Sequence, residues 1–184
     1  MPKFQCALTR VDDMSELLFR DASEADAATL AAIYNPFITD TVVTFEEAPV
    51  TADDMAGRVR ALQAQDLPWR VVEQQGRVLG YAYGGLWRSR AAYRHVAESA
   101  IYLGEAARGR GLGTQLYRDL FEALRVRDMR VVMGVIALPH PASVAFHERL
   151  GFRRAGLFTR VGYKFDRWID VGYWQLELDA PQPA

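Results

Sequence analysis

Leu112, Leu116, Leu120 and Leu124 stand four residues apart, with Tyr117 and Phe121 beside them. That spacing stacks six apolar side chains on one face of a helix. A shorter row, Ala27, Leu30, Ala31 and Tyr34, predicts an earlier helix, with Ser23 as its cap, Asp26 favouring its N-terminal dipole, and Pro36 breaking or kinking its end. Met55, Val59 and Leu62 recur at i, i+4 and i+7 behind Thr51, a capping residue. Other stretches read as strands: LLFRDA, then WRVVE and RVLGYAYGG around a QQG turn, then VAESAIYL. VVMGVIA is a short apolar run suited to a strand buried on both faces. A helix beginning at Pro141 should end near Leu150, with Gly151 beyond it as a C-cap. FRRAGLFTRVG and WIDVGYWQLEL close the chain as two strands. The order is βααβββαβαββ, an α/β fold with a mixed sheet and helices on both faces.

Length and composition narrow the function only by exclusion. The 184 residues suit one domain, read here as residues 18–180 behind a loosely ordered leader, residues 1–17. A formal charge of −1 offers no basic field for nucleic acid or an anionic membrane. No run is long and apolar enough to span a bilayer, and the N-terminus lacks the apolar core of a signal peptide. A single cysteine, Cys6, rules out an intrachain disulfide and fits a reducing cytoplasm. His95, His140 and His147 show no metal-ligand spacing, so no metal site is expected.

One segment asks for a ligand. Gly109, Gly111 and Gly113 alternate with Arg108, Arg110 and Leu112, after a strand and at the mouth of the leucine-rich helix, with Thr114 next. Backbone N–H groups without neighbouring Cβ atoms, at a helix N-terminus, form an anion cradle. A P-loop is excluded, since no Lys-Ser/Thr pair follows. A dinucleotide fingerprint lacks its final glycine. The remaining pattern, Arg108-x-x-Gly111-x-Gly113, arises by chance in about one protein in five of this length, so its position between strand and helix matters more than its letters.

With that loop, the chain resembles the GCN5-related N-acetyltransferase (GNAT) superfamily, where this motif binds the pyrophosphate of acetyl-CoA. The resemblance spans residues 18–178 and is strongest to the phosphinothricin acetyltransferase-like branch, through VTFEEAPVT, VLGYAYGGLWRSRAAYRHVAESAIYL, IALPHPASVAFHERLGF and GYKFDRWIDVGYWQLEL. It implies a mostly antiparallel sheet splayed at the acetyl-CoA site, with Ile101, Tyr102 and Leu103 lining the pantetheine arm and the backbone N–H near Tyr102 as oxyanion donor. It implies acetyl transfer to a small amino-acid-like amine, in a cytoplasmic homodimer, by direct attack in a ternary complex.

The chemistry then assigns roles. Glu98 is a carboxylate inside an otherwise apolar strand, where burial would raise its pKa toward a base's range; an ion pair with a nearby arginine is the plainer reading. His147 stands where many family members carry a tyrosine beside the CoA sulfur, and is the expected thiolate acid. Arg88, Arg90 and Tyr93 match the acceptor-side segment, and a guanidinium suits an acceptor carboxylate. Phe45 is expected to wall the pocket. His140 replaces the usual asparagine and Phe165 replaces a histidine of some phosphinothricin enzymes. Two rival functions are acetylation of a protein N-terminus or lysine, and a non-catalytic acyl-CoA sensor.

Overall fold

The computed structural model describes residues 17–178; the leader up to Glu16, with Cys6, lies outside them. Seven strands form one sheet: β1 (Leu17–Asp21), β2 (Trp69–Gln74), β3 (Arg77–Leu86), β4 (Val96–Leu103), β5 (Val131–Leu138), β6 (Arg153–Lys164) and β7 (Arg167–Glu177). Four helices complete it: α1 (Ala27–Asp40), α2 (Ala52–Gln63), α3 (Leu112–Val126) and α4 (Pro141–Arg149). The element order is the one the periodicity predicts, with β1 opening at Leu17. Spatially the strands run β1-β2-β3-β4-β5-β7-β6, and only the β4–β5 pair is parallel.

Each sheet face buries its own core. The leucine row of α3 packs on one face with Val72, Leu79, Ala82, Ala97, Val132, Ile136 and Trp174. On the other, Leu30, Tyr34 and Ile38 of α1 and Met55 and Val59 of α2 cover Trp69, Val71, Tyr81 and Tyr102. Residues of β4 therefore divide by parity: Ala97 and Ile101 face α3, while Ala100 and Tyr102 face α1 and α2.

Local signals were mostly obeyed. The Thr51 hydroxyl accepts from the Asp54 N–H at 3.1 Å, and the Asp54 carboxylate returns the bond to the Thr51 N–H at 2.9 Å. Gln75 and Gly76 turn the β2–β3 hairpin with positive φ at both positions. Gly151 follows α4 at φ 94°. One detail differs. Helix α1 runs through Pro36 to Asp40, because the buried stripe from Leu30 to Ile38 spans the proline and outweighs its one lost hydrogen bond. Ser23 and Asp26 form a capping box at the turn that leads into α1. The Ser23 N–H (2.7 Å) and hydroxyl (3.1 Å) both lie on the Asp26 carboxylate, which also receives both guanidinium nitrogens of Arg20 at 2.8 Å.

Those donors, Arg20 first, hold the Asp26 carboxyl down at about 2. A depressed folded-state pKa contributes stability that is complete above the ordinary 3.8 and lost as pH falls toward about 2. Urea unfolding between pH 5 and pH 2 should show this decline in the wild type and a flatter profile in Asp26→Asn.

Candidate functional site

The sheet opens at its centre. The β4–β5 ladder runs from Val96↔Val131 to Ser99↔Gly134 and stops there. Beyond that rung β4 stays paired with β3 through Leu103, and β5 with β7 through Leu138. Residues 100–103 and 135–138 thus diverge as a wedge, each side held by its outer neighbour. Backbone groups along its walls must meet water or a ligand.

Register decides which groups those are. Gly104 N–H donates to the Leu79 carbonyl at 2.9 Å, and Trp87 N–H to the Val96 carbonyl at 3.2 Å. Even-numbered residues of β4 therefore direct their amides to β3, and odd-numbered ones to the β5 side. The Tyr102 N–H is turned to β3, and the wedge-facing amides near it are those of Ile101 and Leu103. The Tyr102 ring is buried on the opposite face against Tyr34, Phe37 and Tyr81.

The glycine loop lies at the mouth of α3. Gly109 (φ 73°) and Gly111 (φ 75°) sit in the left-handed region, where a side chain is strained. Gly113 is needed for closeness: a Cβ there would stand 3.3 Å from Leu103 and 3.5 Å from Phe146. The N–H groups of Gly109, Gly111, Leu112 and Gly113 have no acceptor among the described residues, while Thr114 N–H folds back to the Gly111 carbonyl at 3.2 Å. Open donors on a helix N-terminus beside a wedge fit a diphosphate with a long arm attached. The two arginines are turned aside. Arg108 lies over the Phe37 ring at 5.4 Å, and Arg110 reaches Gln74 at 2.9 Å. The backbone, not the guanidinium groups, presents the cradle.

Glu98 lies at the closed end of the wedge, opposite Gly85 on β3 and Met133 on β5. Loss of surrounding water pushes its carboxyl above the ordinary range, and the Arg88 charge pulls it partly back. Arg88 acts through space: among the described residues no ion pair holds Glu98. Arg88 stacks on Trp87 at 4.5 Å, Tyr93 meets Trp87 edge-on at 5.3 Å, and Trp87, Arg88, Ser89 and Arg90 line a cavity of about 350 Å³.

His147 is placed differently from an exposed acid. It is 5% exposed, with its ring among Tyr117, Phe146 and Phe152. Its Nδ1 lies 2.8 Å from the Ser143 carbonyl, which can only accept, so Nδ1 carries the proton. Nε2 is then an acceptor, 3.4 Å from the Tyr117 hydroxyl. Burial lowers the ring's pKa, keeping it neutral. His140 caps α4, its Nδ1 accepting from the Ser143 N–H at 3.1 Å.

On the α1–α2 face a polar group appears that no sequence spacing announces. Tyr34 donates to Glu46 at 2.8 Å, and Arg58 grips the same carboxylate at 2.7 and 2.8 Å. Lys164, 3% exposed, donates to the Thr44 carbonyl at 2.7 Å and so ties the β6–β7 hairpin to this loop. Phe45 lies over Gly162 of that hairpin, where a Cβ would collide with its ring. Tyr83 stands on the same face, its hydroxyl pushed up to about 12 chiefly by burial and further by Glu98 and Glu46. It shares a cavity of about 260 Å³ with Tyr34, Met55, Arg58, Leu62 and Trp69. Phe165, at φ 50°, is exposed in the Phe165–Asp166 turn of the hairpin. Among the described residues no group of three His, Cys, Asp or Glu could hold a metal ion, and no helix is long and apolar enough to cross a membrane.

Comparison with known proteins gives the family and the fold. Residues 19–172 match the family model of the acetyltransferase (GNAT) domain. A phosphinothricin N-acetyltransferase of Streptomyces viridochromogenes is 37% identical over 164 residues, 89% of each chain. An L-methionine sulfoximine/L-methionine sulfone acetyltransferase of Pseudomonas paraeruginosa is 37% identical over 166 residues, 90% of this chain and 96% of its own. The crystal structure of a GNAT superfamily phosphinothricin acetyltransferase from Sinorhizobium meliloti, in complex with AcCoA, superposes with a TM-score of 0.83 at 36% identity over 88% of each chain.

If the cradle is made by the backbone, Gly111→Val should strain the left-handed turn by about 1–2 kcal/mol. Calorimetric titration should show acetyl-CoA affinity at least about 10-fold weaker, with the circular dichroism spectrum unchanged.

Proposed function

The chain belongs to the acetyltransferase (GNAT) domain family and is an acetyl-CoA-dependent N-acetyltransferase; from that premise we propose that it acetylates the free amine of a small amino-acid-like acceptor, with Glu98 as base. The observation that carries this reading is an unpaired carboxylate at the closed end of the wedge, with Arg88 close enough to act on its charge.

The cradle from Arg108 to Thr114 holds the diphosphate, and the arm lies along Ile101 and Leu103. Glu98, directly or through a water, takes the proton from the acceptor's ammonium, and the freed lone pair attacks the thioester carbonyl. The Ile101 N–H, the first wedge-facing amide beyond the Ser99 rung, donates to the oxyanion. The adduct's nitrogen gives up its second proton to water, the carbon–sulfur bond breaks with its electron pair staying on sulfur, and the neutral amide is released. A fixed base and a fixed amide, with both substrates held between them, remove the need to order these groups during reaction.

Arg88 and Arg90, with Tyr93 beside them, receive the acceptor carboxylate, and Phe45 walls the far side. The cavity beside Tyr83 gives room for the acceptor's side chain. Phosphinothricin, methionine sulfoximine and methionine sulfone, the acceptors in the names of the relatives above, are the first compounds to try.

The protein acts as a cytoplasmic homodimer on this reading. Two supports for the second copy are the exposed apolar side chains of the β6–β7 hairpin, Leu157, Phe158, Val161, Tyr163 and Trp168, and the free edge of β6. Trp174, by contrast, is 2% exposed and belongs to the core.

Mass spectrometry of single amino acids and sulfoximines incubated with acetyl-CoA should show a gain of one acetyl group on at least one of them. Acetylation of peptides alone would replace this reading with a protein acceptor, and bound acetyl-CoA without transfer would replace it with a sensor. Glu98→Gln should lower kcat/KM by about 10²- to 10⁴-fold. Because the Glu98 pKa is raised, wild-type kcat/KM should fall as pH drops through that value, and the variant's profile should lack this acidic limb.

A further inference from the structure

At the closed end of the wedge, on the α3 face, three polar side chains and two carbonyls form a hydrogen-bonded chain. The Ser99 hydroxyl, on the last β4–β5 rung, lies 3.3 Å from the Tyr117 hydroxyl and 3.5 Å from the Met133 carbonyl. The Tyr117 hydroxyl lies 3.4 Å from His147 Nε2, and His147 Nδ1–H donates to Ser143. His147 also packs on Gly134, the other half of that rung, where a Cβ would come within 3.1 Å of Nε2. The Tyr117 hydroxyl is therefore fixed beside the point where the two strands part.

Packing does not require that hydroxyl. The ring is held by Phe121, Phe146 and Phe152 at centroid distances of 5.3 to 6.4 Å, contacts a phenylalanine would keep. Its two hydrogen bonds are both at the long end of the range, so the hydroxyl is buried at a desolvation cost that they only partly offset. A donor so placed is free to turn toward a stronger acceptor.

We propose that the Tyr117 hydroxyl is the hydrogen-bond donor to the departing coenzyme A thiolate, and that His147 is the positioning residue that holds it there. This rests on the reading that acetyl-CoA lies in the wedge. The hydroxyl donates to His147 Nε2 in the structure described above. As the carbon–sulfur bond breaks and its electron pair collects on sulfur, the hydroxyl turns to donate there. Burial raises the tyrosine's pKa, so the proton stays on oxygen and the thiolate takes its own proton from water after release. The neutral, buried His147 has no proton on Nε2 to give, which moves the acid's place from the histidine to its neighbour. A charge-assisted bond is about twice as strong as the neutral one it replaces, so it forms where charge develops and not before.

The test compares coenzyme A with its desulfo analogue, which lacks only the sulfur contact. In Tyr117→Phe, kcat should fall about 10- to 100-fold, the range for one hydrogen bond to a charged group, with KM for acetyl-CoA nearly unchanged. At about pH 9, near the ionisation of an ordinary thiol, coenzyme A should bind Tyr117→Phe about 10-fold more weakly while desulfo-coenzyme A binds as it does the wild type. His147→Asn should lower the same binding ratio by a smaller factor. Equal weakening of both ligands, or a kcat within twofold of wild type, overturns the proposal. Should desulfo-coenzyme A bind wild type and Gly111→Val alike, the wedge reading itself has failed, and that result is separable from a failure at Tyr117.

Discussion

Every other feature of the site depends on one broken ladder. Two parallel strands stay bonded for four rungs and then part, while each keeps an outer partner along its remaining length. Unpaired backbone groups inside a sheet are costly unless something else bonds them. The outer pairings keep the strands from closing over that gap or fraying away from it. What results is a slot whose walls are main chain, whose mouth is a helix N-terminus and whose floor holds Glu98 on one face and Tyr117 on the other.

The two faces divide the chemistry. Toward α3 and α4, the site is dry and built of rings, and its polar groups are neutral: a tyrosine, a serine and a histidine whose proton is fixed by Ser143. Charge that develops there finds few competitors. Toward α1 and α2 the side chains are ionised. Glu98 answers to Arg88 and Glu46 to Arg58, with Tyr83 between them. Burial raises one carboxylate, whereas a bidentate guanidinium lowers the other. Two glutamates on one surface are thereby tuned in opposite directions, one toward holding a proton and one toward staying charged in an ion pair.

Much of the fold was legible in the chain because the signals were local. The leucine row of α3 and the Thr51 cap each report on a few neighbouring residues, and each was met. The turn that glycines 109, 111 and 113 make where strand meets helix was legible too, with Gly109 and Gly111 in the left-handed region. The rest was not, for physical reasons. The parting of β4 from β5 leaves no mark in composition, because both strands stay apolar and paired on their outer sides. Which amides of β4 face the gap is a matter of register, since one residue separates the amide of Tyr102, turned to β3, from those of Ile101 and Leu103, turned to the gap. Pro36 looked like a breaker because its cost is local and the burial that outweighs it is not. Lys164 reaches Thr44 across 120 positions of sequence, and Tyr117 was hidden as one more aromatic on a greasy helix face.

The glycine loop has an evolutionary consequence. A ligand gripped by peptide amides is insulated from most mutation, since every amino acid except proline supplies the same N–H. If the loop grips the coenzyme as proposed, drift can rewrite the surrounding side chains, including the two arginines that point away, without erasing that grip. Acceptor preference enjoys no such shelter, for on the proposed reading it is written in side chains such as Arg88 and Tyr83. Descendants of this scaffold should therefore diverge in what they modify long before they diverge in what they modify it with.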